Sequence, residues 1–400
     1  CACDAEKKMG ERAMNRKQFS LLLAALVILG GLVWSLKKSD ESGWTQSANR
    51  VGQTLVPNFP INDVADIHIN NGHTSVSLTK KEGQWRVKER GDYPANFAMI
   101  SDLLLKLQEQ KIIQSDAVTA EQRPDLYLIE PNKDKPSAIA IEVKDANAKS
   151  IARFLLGKRY IKKGPTGADV PAGRYVMVDS DEKTVALVGD VLLDAEPKPE
   201  VWTVKEFVRA EKVKSIEFKG DDGASIWKMQ RDKEAGEWQL ADAKPNEKFD
   251  NTRGTSTVNA ISMMSFIDVI ASTTSLDTGM SKPRAVIAET FDGLTYTFRI
   301  GNESSDDNQY IGVAVSGDPA KERSATADEK PEDKERLDKE FKERLAKLET
   351  RLKFEKTLSG WTYITPKWRL DPLLKDRAGL MMDKQNAEAP SVTPMNPPGR

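Results

Sequence analysis

Cysteine is almost absent from this 400-residue chain: the two that occur, Cys1 and Cys3, both fall within the first three residues. Everything after them can form neither a disulfide nor a thiolate metal site, so stability has to come from packing. Histidine is equally scarce, with only His68 and His73, and no third ligand type clusters near them to complete a metal site. The alternation of Ile67, His68 and Ile69 sends His68 to the face opposite the two isoleucines, a solvated one. Net charge is missing too. The 60 basic and 61 acidic residues leave −1, and neither sign forms a long block, so the electrostatic footprint of a nucleic-acid partner is lacking and that partner is excluded.

The usual signatures of chemistry are missing as well. There is no Gly-x-Ser-x-Gly elbow and no nucleophile–base pair. The loop GKRYIKKGPTG (157–167) has glycines and lysines, but not at P-loop spacing, and no Lys-Ser or Lys-Thr follows. It reads as a basic hairpin loop with Lys158, Arg159, Lys162 and Lys163 solvated, a patch that also suits anionic lipid headgroups. The acidic stretches Asp221-Asp222 and 303–308 lack the alternating oxygen ligands and distal Glu of a calcium loop, and read as turns. We therefore expect no catalytic residue, no cofactor and no metal. Paired carboxylates for glycoside hydrolysis stay open, because such partners can lie far apart along a chain.

One long apolar run is present. From Phe19 to Leu36 the sequence FSLLLAALVILGGLVWSL carries no charge, and at 1.5 Å per residue it reaches about 27 Å, enough for a bilayer core. We expect a transmembrane anchor, marked by Phe19, Leu26, Trp34 and Leu36, with Trp34 in the headgroup layer. A cleaved signal peptide would end in a small-x-small site, where Trp34 and Leu36 stand instead. Lys7, Lys8, Arg12, Arg16 and Lys17 precede the run, while Lys37 and Lys38 come after it, which favours the N-terminus inside and the body outside the cytoplasmic membrane. Translation from Met14 would shrink that margin, so residues 1–13 are set aside.

The body is expected to be α+β: a transmembrane helix, a duplicated β-rich domain and a long charged C-terminal helix. Residues 64–69, 74–80 and 84–89 alternate with period two around Asn71-Gly72 and Gly83, which predicts an antiparallel meander. A helix over 96–110 comes next, with Phe97, Ile100, Leu103, Leu104 and Leu107 on one face. Strands at 138–143, 151–156 and 174–178 complete a first repeat. The same order returns after Pro199: VKSIEFKG (213–220), 224–232, EWQLA (237–241) with Trp238 matching Trp85, a helix around 256–267, and strands at 285–291, 294–301 and 309–315. Further on, a helix from about Asp328 to Leu358 has a stripe of Leu337, Phe341, Leu345, Leu348 and Leu352. That stripe suits either packing on its own domains or a coiled-coil-like partner contact. A strand at 360–365 and a short helix at 370–381 complete the body. The expected segments are 1–18 cytoplasmic tail, 19–36 anchor, 37–58 linker, 59–197 and 198–318 repeats, 319–386 charged helix with its strand and short helix, and 387–400 a disordered Pro-rich tail.

Several segments together, NDVADIHI (62–69), GQWRVKERGDYPANF (83–97), LLGKRY (155–160), GRYVMV (173–178), PKPEVWTVKEF (197–207), TFDGLTYTFRIG (290–301) and DEKPEDKERLDKEF (328–341), resemble a bacterial family, the domain of unknown function numbered forty-three forty. The resemblance runs from Met14 to about Lys384. It implies a single-pass protein often encoded beside a Gld-type ABC transporter, its permease and ATPase and a Gld-G-like membrane protein, and it carries no functional residues over. The expected function is then that of a membrane-anchored, non-enzymatic accessory subunit that binds a partner protein or envelope polymer, with membrane lipid alongside. An envelope hydrolase with paired carboxylates and a structural scaffold are the alternatives.

Overall fold

The computed structural model describes residues 50–179, 181–271, 276–323 and 329–382. The first half of the chain runs β1 (Val64–Asn70), β2 (Ser75–Lys81), β3 (Gln84–Val87), β4 (Tyr93–Pro94), α1 (Phe97–Glu109), β5 (Ile112–Ala117), β6 (Ile139–Asp145), β7 (Ser150–Lys163), β8 (Asp169–Val178) and β9 (Asp181–Val188). The second half runs β10 (Val213–Lys219), β11 (Ser225–Gln230), β12 (Gln239–Leu240), α2 (Asn251–Ser262), β13 (Asp268–Ile270), β14 (Arg284–Thr290), β15 (Leu294–Glu303), β16 (Asn308–Gly317), α3 (Pro331–Lys356) and β17 (Thr362–Pro366). All pairing is antiparallel, within one sheet of nine strands and one of eight.

The fold is therefore mostly β, which corrects the α+β expectation. Among the described residues three α-helices stand beside seventeen strands, and none of those helices is long and apolar enough to cross a membrane. Most strands keep the period-two pattern, as β15 does along Leu294–Glu303, and the two long sheets they build outweigh the three helices. The expected helix at 370–381 is instead a set of turns with one 3-10 stretch, Ala378–Leu380. Its leucines are buried, with Leu370, Leu373 and Leu380 all at 0% exposure, while Pro372 and Gly379 interrupt the helical ladder. The expected anchor at 19–36, including Phe19, Leu26, Trp34 and Leu36, lies outside the described residues, as does the 387–400 tail.

The chain divides into two compact units, Cys1–Ser75 with Ala98–Pro197, and Val76–Phe97 with Lys198–Arg400. In the first, strand order is β1-β6-β7-β8-β9-β5. Ile67 and Ile69 of β1 are fully buried, and the strand ends where Asn71 Oδ1 accepts from His73 N at 2.9 Å and Thr74 N at 2.8 Å. Apolar residues line both sheet faces: Val118, Leu128, Ala140, Leu155 and Met177 form one cluster, while the Phe59 and Phe154 rings meet edge-on at 6.1 Å elsewhere.

In the second unit the order β10-β14-β15-β16-β17-β13 repeats that pattern strand for strand, with β11 and β12 continuing outward from β10. The β10–β11 turn closes at Gly223, φ +79°, a conformation that suits glycine. Helix α2 is capped by Asp250, whose carboxylate accepts from Thr252 N at 2.9 Å. Helix α3 lies against β16. Residues 76–97, with β3 and β4, belong to this unit as well, and β4 is continued by a bridge from Ala95 to Thr203.

Candidate functional site

The second unit contains an open cleft of about 740 Å³. One wall is β3 and its turn, presenting Gln84, Trp85 and Arg86; the other is the end of α3 and the turn leading to β17, presenting Phe354, Leu358 and Trp361. The Tyr93 ring meets Trp361 edge-on, centroids 5.0 Å apart at 83°. Phe97, the first residue of α1, projects into the opening and is 64% exposed. A large aromatic side chain left in water at the mouth of an apolar cleft is a feature of binding surfaces.

Two devices hold the walls. Just beyond β3, Arg90 reaches Asp268 of β13 through two hydrogen bonds, Nε to Oδ1 at 2.6 Å and a terminal nitrogen to Oδ2 at 2.8 Å, and also contacts Glu200 at 3.2 Å. A bidentate pair of this kind fixes orientation as well as distance. Behind the cleft, Tyr93, Phe207, Phe266 and Tyr363 form a ring cluster, with Phe207–Tyr363 and Phe266–Tyr363 centroids both at 4.8 Å. Burial pushes the Tyr93 hydroxyl up to about 12, so it stays neutral across the physiological range. The Tyr363 hydroxyl donates to Leu358 O at 3.1 Å, tying β17 to the turn that bears the far wall.

Lys80, Gln84 and Arg86 supply the polar rim, with Arg86 donating to Gln84 Oε1 at 2.6 Å. The lining has no carboxylate, cysteine or histidine. Aromatic walls with a few polar groups at the rim are the chemistry that suits an apolar ligand.

The structure separates most residues singled out from sequence. The helical pattern puts Phe97 with Ile100, Leu103, Leu104 and Leu107 on one buried face; the four aliphatic residues are at 4% exposure or less, but Phe97 is not buried with them. It begins the helix, ahead of the turn that the core covers. His68 is half-buried on β1 and His73 is exposed at the following turn. Among the described residues no group of three or more His, Cys, Asp or Glu is placed to hold a metal ion. Asp222 accepts from Ala224 N at 2.9 Å inside its turn, and Glu303 pairs with Lys367. Residues 157–163, a loop by sequence pattern, are strand: β7 continues to Lys163. In the sequence Trp85 stands out only as the counterpart of Trp238. Its cleft partner Trp361 lies far along the chain, and no periodic signal links them.

Fold and cleft together define a mostly β protein of antiparallel sheets with an aromatic-walled cleft in its second unit. Residues 85–283 match the model of a bacterial family described as a domain of unknown function (DUF4340), and over that stretch, from Trp85 through β13, the chain resembles it. The match takes in Arg86, Tyr93, Phe97 and Val204 of the cleft and stops short of Phe354 and Trp361. No curated protein and no solved structure matches the chain.

Proposed function

We propose that this protein is a non-enzymatic accessory subunit of a Gld-type ABC transport machine in the bacterial envelope, and that the aromatic cleft is where it grips a partner. The observation that carries this reading is Phe97, exposed at 64% at the mouth of a cleft walled by Trp85, Tyr93 and Trp361. The occupant is an apolar segment of the transporter's membrane protein, with an acidic residue beside it to meet Lys80 and Arg86. A paired-carboxylate hydrolase would need two acids in the cleft, and the lining has none. The uncharged run 19–36 supports a place at the cytoplasmic membrane with the body outside.

The test is purification of tagged full-length protein in mild detergent, as wild type and as Phe97→Asp, followed by mass spectrometry. The reading predicts an ABC permease and its ATPase with the wild type and their loss with the variant, which places the change at an exposed side chain. A wild type recovered without either would overturn it.

A further inference from the structure

A second cavity, about 530 Å³, lies in the first unit at the root of the β7–β8 hairpin. Three segments wall it: the turn after β1, the loop 131–137 ahead of β6, and the strand pair where Gly157–Arg159 runs beside Arg174. Close backbone approach fixes the walls. Gly72, at φ +88°, leaves no room for a side chain, since a Cβ there would lie 2.5 Å from Asn132 N. A Cβ on Gly157 would lie 2.4 Å from Leu126 O. The β7–β8 register slips between Leu156 and Arg159, a bulge that re-aims the side chains around it.

The lining contains Lys135, Lys158, Arg159 and Arg174 and no carboxylate. Arg174, 6% exposed, donates only to main-chain carbonyls: Gly157 O at 2.9 Å and Val191 O and Leu192 O at 3.2 Å, with Leu156 O at 3.4 Å. Arg159 is its direct cross-strand neighbour. Burial, with Arg159 adding like charge, pulls the Arg174 guanidinium down to about 10. Among the described residues no acid pairs with Lys135, Lys158 or Arg159. Like charges opposed across a strand pair are unfavourable, and a buried cation is costly without a counter-charge. One shared anion offsets both.

We propose that this pocket binds a phosphate group, held by Lys158, Arg159 and Lys135 at its mouth with the positive field of Arg174 behind them. Guanidinium and ammonium donors converging on a rigid concave site suit a tetrahedral oxyanion. The phosphate belongs either to a lipid headgroup or to a soluble phosphorylated molecule. Beyond the pocket the hairpin carries Ile161 and Val170, 43% and 47% exposed, beside Lys162 and Lys163, a combination suited to an anionic lipid surface. The site is separate from the aromatic cleft and does not depend on its reading.

The test is calorimetric titration of the full chain in neutral-detergent micelles, with inorganic phosphate as one probe and phosphatidylglycerol doped into the micelles as the other. Lys158→Ala/Arg159→Ala removes two exposed cations from the mouth, and Lys334→Ala/Lys342→Ala removes two exposed cations from α3 as a charge-matched control. We expect saturable phosphate binding by wild type and control, weakened about tenfold or more in the mouth variant, a change of about 1.4 kcal/mol. Phosphatidylglycerol that binds and is displaced by phosphate supports the site and gives it a lipid source; phosphate binding without phosphatidylglycerol binding supports it and gives a soluble source. Binding of neither probe, equal losses in the two double variants, or phosphatidylglycerol binding that phosphate does not displace would overturn the proposal.

Discussion

Glu355, near the end of α3, is fully buried, and its carboxylate is held by three groups. Arg209 N donates to Oε1 at 2.8 Å, the Tyr296 hydroxyl donates to Oε2 at 2.9 Å, and Arg351 Nε stands 3.8 Å away. Arg351 in turn bonds Glu211 at 2.6 Å. Burial raises the Glu355 pKa above its ordinary 4.5, and the hydrogen bonds only partly offset it. A carboxyl raised in the fold stabilises most when protonated. Below 4.5 both folded and unfolded chains carry the proton; as pH climbs from there, the unfolded chain ionises first and stability drains away through the raised value. Glu247 acts in the opposite sense, because Arg377 lowers it to about 2, so its contribution is present above the ordinary range and lost as pH falls. The difference between wild type and Glu355→Gln isolates Glu355. We expect urea midpoints of the glutamine variant to lose the decline that starts near pH 4.5, with Glu355→Ala about 2–3 kcal/mol less stable because two donors are stranded. A decline of unchanged slope in Glu355→Gln would contradict this. Nothing local in the sequence marks Glu355 out from the other acids of a charged helix; its hydrogen-bond partners Arg209 and Tyr296 lie 146 and 59 residues away.

Helix α1 and helix α3 each divide into a part the core covers and a part it does not. In α1, Leu104 is 4% exposed and Phe97 64%. Leu104→Ala should cost about 2–5 kcal/mol of unfolding free energy, whereas Phe97→Ala should stay within about 0.5 kcal/mol, as read by denaturant titration. Equal costs would mean that Phe97 packs into the core after all. In α3 the stripe Leu337, Phe341, Leu345, Leu348, Leu352 meets the second-unit core only near its C-terminal end, where Leu352 is 7% exposed and Leu348 packs alongside. Toward its start the helix is laced by exposed ion pairs such as Arg336–Glu340 at 2.8 Å, which solvent screens and which add little to stability. Leu352→Ala should therefore cost several times what Leu337→Ala costs in the same titration, and a larger loss at Leu337 would contradict this.

The meander of β1 to β3 was legible, because Ile67, Ile69, Val76 and Leu78 alternate with polar neighbours around glycine turns. The extent of β7 was not. Its pattern breaks at the Gly157 bulge and turns polar at Lys158, so a strand held by its ladder to β8 has the sequence of a loop. The cleft was legible only in pieces, since Trp85 and Phe97 were visible as individual residues while their convergence with Trp361 is tertiary.

Over the whole molecule, 60 basic and 61 acidic residues nearly cancel, so recognition depends on local features rather than on a global field. Two such features stand out, the aromatic cleft of the second unit with its Lys80 and Arg86 rim and the cationic pocket of the first. The central claim is that the cleft holds a membrane transport partner, and its most direct test is a photo-crosslinking amino acid placed at position 97 in the full-length protein in intact cells. The account predicts an adduct with an ABC permease at position 97, and none from the same probe at Lys334 on the exposed start of α3. Adducts of equal yield from both positions, or no permease adduct from position 97, would contradict it.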